Sequence, residues 1–244
     1  MRTLLAGIGS NQYQVKIRQG DLAAPPVPHL LAMAAGDVVR PQGDQPLRLA
    51  LATANPGKVQ EVHDLLGDVP GVQLVDRPNE VGEIPETGDT FEDNARIKAV
   101  AIMLAAGIPA LADDSGIEVD ALAGRPGVYS ARFGGEGLSD PQRVQLLLDH
   151  LQQAGAITPR QRQAQFQAVV IVAFPDGREV VGRGTIRGCI AACPRGTNGF
   201  GYDSVFIPRE GDGRTFAEMS DDEKHRLSHR GRALRHLVQA LDLS

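Results

Sequence analysis

Five short stretches of this 244-residue chain carry residue types whose spacing could do chemistry. Thr53-Ala54-Asn55-Pro56-Gly57-Lys58 has the form of a strand end turning straight into a helix. Asn55 suits an N-cap, and Pro56 suits the first helical turn, where its missing N–H would have no partner. The free N–H groups of such a helix, beside the Lys58 ammonium, offer a cradle for phosphate. The same residues also describe a plain capped helix with a surface lysine, and the G-x-x-x-x-G-K-S/T phosphate loop is absent. Asp113-Asp114-Ser115-Gly116 places two carboxylates at the end of a short strand. There they can ligate a hard divalent cation or polarise a water, or else form a solvated turn. Side chains alternate along an extended chain, so only one of the two is expected to face a site directly. On a helix opening at Thr90, Lys98 falls on or beside the stripe of Phe91, Ala95 and Ile102. A lysine there either snorkels or meets an anion, and the other cations favour the anion.

The remaining two stretches could read a planar ring. Gly196-Thr197-Asn198-Gly199-Phe200-Gly201-Tyr202-Asp203 allows close backbone approach, and Phe200 or Tyr202 can lie against a ring while the backbone bonds its edge. Aromatic residues are only 4% of the chain, so two in one glycine-rich loop carry weight, although a loop anchored by aromatic packing competes. Lys224 and Ser228-His229-Arg230-Gly231 add cations; on one unbroken helix Lys224 and Arg230 would not share a face. A break at Ser228, with that serine capping a second helix, lets them converge. Otherwise they are a solvated basic helix start.

The elements that must position these groups alternate between strand and helix, as in an α/β domain. Strands are expected at 47–53, 72–75, 109–112, 117–121 and 203–207, with a hairpin of 166–174 and 179–190 turned by Pro175-Asp176-Gly177. Helices are expected from Pro56, over 90–106 with Thr90 and Asp93 in capping-box spacing, from an Asp140 N-cap, and from Ser220 onward. The third buries Val144, Leu147, Leu148 and Leu151; the C-terminal one turns Leu234, Leu237, Val238 and Leu241 to one face. Residues 1–46, punctuated by Pro25-Pro26-Val27-Pro28, Pro41 and Pro46, show no convincing period and read as a weakly structured, dispensable extension. Residues 47–244 read as one functional unit.

Composition narrows the classes further. Lys+Arg at 25 against Asp+Glu at 30 gives a net charge of −5, which argues against nucleic acid and anionic membranes as partners but permits a local cationic cluster for a small polyanion. Cys189 and Cys193 are too few for a disulfide framework and lack the usual zinc spacing, so they read as reduced thiols of a cytoplasmic protein. No apolar run reaches bilayer length, and the amino terminus does not read as a signal peptide.

Taken in order, T-x-N-x-x-K, E-T-G-x-T-F-x-x-N-A-x-x-K, D-D-S-G, G-F-G-Y-D and S-H-R-G resemble the inosine triphosphate pyrophosphatase family, from Leu47 to about Leu243. The resemblance implies a mixed, elongated central sheet flanked by helices, with two lobes around a nucleotide-binding cleft. It implies Mg²⁺-dependent hydrolysis of ITP, dITP or XTP to the monophosphate and pyrophosphate, and a homodimer. By the same resemblance Thr53 to Lys58 and Lys98 bind phosphates, and Asp114 is the active-site acid, Mg²⁺ ligand and proton acceptor. Ser115 contacts substrate, while Phe200, Gly201, Tyr202, Asp203, Lys224, His229 and Arg230 recognise the base. Glu86 falls at or beside the second metal-binding acid; Pro85 precedes it where some members carry another glutamate. A triphosphatase for another unusual nucleotide and a non-hydrolysing nucleotide sensor are the alternative readings.

Overall fold

The computed structural model describes residues 2–8, 11–17 and 45–243. Six strands form one mixed sheet in the order β4(Val72–Val75), β3(Leu47–Leu51), β5(Ala110–Val119), β6(Gln163–Ala173), β7(Glu179–Ile190), β8(Phe206–Pro208). The first three run parallel, and the pairings from β5 to β8 are antiparallel. Alternation along β3 assigns the two faces. Leu49 and Leu51 pack with Val62 and Leu66 of α1(Pro56–Leu66) and with Leu234 and Leu237 of α5(His229–Ala240). Ala50 and Ala52 point the other way, into a layer with Phe91, Ala95, Ala99 and Ile102 of α2(Phe91–Ala106). A third core gathers Ile117, Phe166, Ile186 and Phe206 under α3(Asp140–Gln153), whose Val144, Leu147, Leu148 and Leu151 are all buried as expected.

The hairpin of β6 and β7 and the strand at 72–75 fall where the sequence puts them. Three local expectations need correction. Asp113 to Gly116 is not a junction between two strands: β5 runs unbroken through it, pairing Asp113 with Val170 and Gly116 with Gln167. Gly116 is there for close packing, since a Cβ would meet the Gly127 carbonyl and Ser130 Oγ. The cap of α3 is Ser139, in a capping box with Gln142, and Asp140 lies in the first turn. Asp203 belongs to a turn rather than a strand, because its carboxylate accepts the Phe200 N–H at 2.9 Å; β8 begins only at Phe206.

Ser220 caps α4(Asp221–Leu227) and Ser228 caps α5, so the C-terminal segment breaks where the sequence reading allows. Within the first 46 residues, where no strand is expected from sequence, β1(Arg2–Ile8) and β2(Asn11–Ile17) pair antiparallel as a separate two-stranded sheet. The proline-rich run of that segment lies outside the described residues. Among the described residues no helix is long and apolar enough to cross a membrane.

Candidate active site

The loop from β3 into α1 is set by its own side chains. Thr53 Oγ1 accepts the Asn55 N–H at 3.1 Å, and Asn55 Oδ1 accepts the N–H groups of Gly57 and Lys58 at 2.9 and 3.3 Å. The helix-end donors read from the sequence as free are therefore already capped, which leaves Lys58 as the cation of this motif. Its Nζ lies 3.0 Å from Asp113 Oδ2. Gly57 has a second role: a Cβ there would sit 2.7 Å from the Phe200 ring, so the first and fourth motifs touch.

Asp113 and Asp114 point to opposite sides of β5, as alternation requires. Asp113 is gripped by Lys58 and by Arg230 Nε at 3.1 Å. Burial raises its pKa, but Lys58 and Arg230 outweigh that and hold it well below the usual carboxylate range. Asp114 bonds Lys98 Nζ through Oδ1 at 2.9 Å, while its Oδ2 is buried with no hydrogen-bond partner. Here burial outweighs Lys98, and the pKa is raised. Lys98 also donates to Glu86 Oε1 at 2.8 Å, and Arg132 reaches Glu86 Oε2 at 2.8 Å. The lysine on the apolar stripe of α2 thus meets anions, as favoured from its position.

Lys224 and Arg230 do converge, on a residue the sequence reading passed over. Glu61, on the buried side of α1, accepts Lys224 Nζ at 2.5 Å on one oxygen and Arg230 on the other. Burial pushes its pKa up, yet Arg230 and Lys224 bring it down to about 2. Sequence carried no signal for it: a glutamate three residues after Lys58 has the spacing of an ordinary solvated i,i+3 pair, and only the folded chain shows Glu61 buried. Lys224 further donates to Asp203 at 2.8 Å, and Arg230 Nη2 to Ser115 Oγ at 2.9 Å. Phe200 offers its ring to both cations, with Lys224 Nζ at 4.8 Å and Arg230 Cζ at 5.6 Å from the centroid. His229 stacks on Phe166 at 4.5 Å, nearly parallel at 7°; burial first, then Arg230, keeps its pKa well below the ordinary value. Tyr202 is anchored by its hydroxyl on the Ser130 carbonyl at 2.9 Å, and the Gly201 N–H reaches Asp140 at 2.6 Å.

These groups surround one cavity of about 250 Å³. Asn55, Lys58, Glu86, Asp114, Ser115, Phe200, Gly201, Tyr202, Asp203, Lys224, His229 and Arg230 border it. Thr53, Ala54, Pro56 and Gly57 do not, and Lys98 stands one bond behind Glu86 and Asp114. Arg143 and Asp140 also border it, although the sequence marks Asp140 only as a helix cap and Arg143 not at all. Among the described residues no cluster of three or more His, Cys, Asp or Glu could hold a metal unaided. Two carboxylates, one with a buried free oxygen, fit Mg²⁺, which takes one or two carboxylates and completes its shell with water and substrate phosphates.

The same α/β unit is shared with known proteins. A dITP/XTP pyrophosphatase of Symbiobacterium thermophilum is 48% identical over 194 residues, covering 80% of this chain and 94% of that protein. A counterpart in Thermus thermophilus is 46% identical, covering 80% and 91%. Among solved structures, a HAM1 protein from Coxiella burnetii superimposes with a TM-score of 0.73 at 38% identity, covering 81% of this chain and all of that one. The Ham1 family profile matches residues 49–240, from within β3 to the end of α5, and on that extent the chain belongs to the Ham1 family.

Proposed function

We propose that the chain is a nucleoside triphosphate pyrophosphatase that hydrolyses ITP, dITP and XTP at the α–β phosphoanhydride, yielding the monophosphate and pyrophosphate and so clearing non-standard purines from the nucleotide pool. The names of the relatives support this reading. The observation that carries it is Asp114: a buried carboxylate with one oxygen on Lys98 and the other unpartnered, facing a cavity bordered by cations and an aromatic ring.

Asp114 and Glu86 would hold Mg²⁺, which would supply charge neutralisation on the triphosphate. Lys58 draws the phosphates toward the mouth of α1, and Lys98 keeps Asp114 oriented. Asp114 Oδ2 takes the proton of the attacking water; a positioned base of this kind contributes ~10²–10⁴-fold in rate. The purine lies against Phe200, and donors of Arg230, His229 and the loop backbone meet the 6-keto oxygen. Arg230 commits three of its guanidinium nitrogens to Asp113, Glu61 and Ser115, which fixes the plane in which its remaining N–H groups point. Adenine would set an amino donor against these donors, a mismatch worth up to ~10⁴-fold in selectivity. The protein acts as a cytoplasmic homodimer in this reading, supported by the family resemblance and checked by light scattering.

The decisive assay is pyrophosphate release from ITP and ATP, with Mg²⁺ and with chelator. Release from ITP only, and only with Mg²⁺, is expected. Equal hydrolysis of ATP, or preference for an unusual pyrimidine nucleotide across a panel, overturns the substrate assignment; binding without release overturns the enzyme.

A further inference from the structure

A second cavity, of about 350 Å³, lies at the root of the loop that carries Phe200 to Asp203. Both cysteines of the chain border it, Cys189 half-buried near the end of β7 and Cys193 exposed, each a free thiol. Aliphatic side chains form much of its wall, among them Ile207 and Ile157, the latter left 75% exposed. Two guanidinium groups complete it. Arg162 is only 8% exposed, donates Nε to the Ala156 carbonyl at 2.7 Å and Nη1 to the Ala191 carbonyl at 2.8 Å, and has no carboxylate partner among the described residues. Arg195 binds the Gly213 carbonyl at 2.8 Å and lies 3.5 Å from Glu218. A buried guanidinium without a counter-charge favours an incoming anion.

Apolar walls, a buried cation without a carboxylate partner among the described residues and two free thiols border one space, which suits a ligand that is small, anionic and sulfur-reactive. We infer that this cavity is a thiol-modification site for low-molecular-weight disulfides bearing carboxylates, and that Cys189 and Cys193 close there into an intramolecular disulfide. Cys193, the exposed thiol, loses its proton to solvent and attacks one sulfur of the reagent. The reagent S–S bond breaks, one half departs as a thiolate, and the other stays on Cys193 with its carboxylate toward Arg162 and Arg195. Cys189 is the less exposed of the two thiols, and burial raises its pKa against the opposing effect of Arg195, so it enters second. It gives up its proton and attacks Cys193 Sγ, and the second half leaves. The protein loses two hydrogens, and the reagent is reduced to two thiols.

Closure acts on the loop through its neck. The Ala191 N–H bonds the Val205 carbonyl at 2.7 Å and the Arg195 N–H bonds the Ser204 carbonyl at 2.8 Å, with Cys193 between these two ties. Linking Cys193 to β7 pulls on the segment that presents Phe200. This coupling rests on the proposed base-binding role of the loop; the sulfur chemistry does not.

The test treats the full-length protein with 3,3′-dithiodipropionate, a dianion, or cystamine, a dication, followed by intact mass and peptide mapping. The dianion should give a product two hydrogens lighter, bridged between Cys189 and Cys193, about tenfold or more faster than cystamine. Cys193→Ser should abolish the reaction, Cys189→Ser should stop at an adduct on Cys193, and Arg195→Gln should narrow the preference for the dianion. Equal rates for the two reagents, an adduct that never resolves, or rapid labelling of Cys189 in Cys193→Ser overturns the site, whatever the protein hydrolyses. A bridged protein with unchanged affinity for ITP overturns the coupling to the loop.

Discussion

Asp113 and Asp114 are neighbours in the chain and differ by a peptide unit in position, yet their surroundings push their ionisation in opposite directions. Asp113 meets two cations and serves as their fixed counter-charge; Asp114 keeps one oxygen unsatisfied, where a metal or a proton can go. Replacing Asp114 by Asn should therefore lower pyrophosphate release by ~10²–10⁴-fold while ITP binding persists, measured by calorimetry beside turnover. Near-normal turnover in that variant would remove Asp114 from the chemistry. Glu61 makes a different prediction, about stability. Its pKa of about 2 lies below the ordinary 4.5, so its contribution is fully present above pH 4.5 and disappears as pH falls toward 2. Glu61→Gln should cost ~3 kcal/mol at neutral pH, the low end for breaking a buried ion pair, because Arg230 and Lys224 each retain a second carboxylate. Denaturant unfolding at stepped pH checks both points: the gap between wild type and variant should close across pH 4.5 to 2, and a constant gap would show that the carboxylate charge is not what matters.

Elements place these residues, and their boundaries were unevenly legible. The caps at Asn55, Thr90, Ser220 and Ser228 could be read directly, because each is a local contest between a side-chain oxygen and nearby backbone N–H groups. Asp113 to Gly116 misled for the opposite reason. Two acids, a serine and a glycine have the composition of a turn, and only the neighbouring β6 strand and the packing on Gly127 and Ser130 keep them extended. A similar close approach sets α5. At Gly182 and Gly184 of β7 an added Cβ would collide with the carbonyls of Ala233 and His229, so the helix rests directly on the strand backbone. Gly184→Ala should push the start of α5 outward, lowering stability by ~1–3 kcal/mol as overpacking does. It should also weaken ITP binding more than Gly182→Ala, since His229 and Arg230 sit above it. Thermal melts and binding measured on both variants decide this; equal affinities would mean that α5 tilts without disturbing the site.

Over the whole molecule, what sequence could not supply was distance. Glu61 lies 163 residues from Lys224 and 169 from Arg230, and Asp113 lies 117 from Arg230, so only the folded sheet reveals that one buried network joins α1, β5, α4 and α5. Every residue of that network belongs to the segment that begins at β3, whose first N–H, on Leu47, already bonds Gly71. The β1–β2 hairpin forms a sheet of its own, and the family match starts at residue 49. A chain starting at residue 47 keeps all six strands of the main sheet and all three apolar cores. Removing residues 1–46 should thus move the melting temperature by less than the ~2–4 °C that 1 kcal/mol produces in a domain of this size, with pyrophosphate release from ITP unchanged. Calorimetry and the release assay on the truncated chain test this. A larger drop in melting temperature would mean that the extension props the sheet, and a loss of activity at unchanged stability would mean that it reaches the nucleotide cavity.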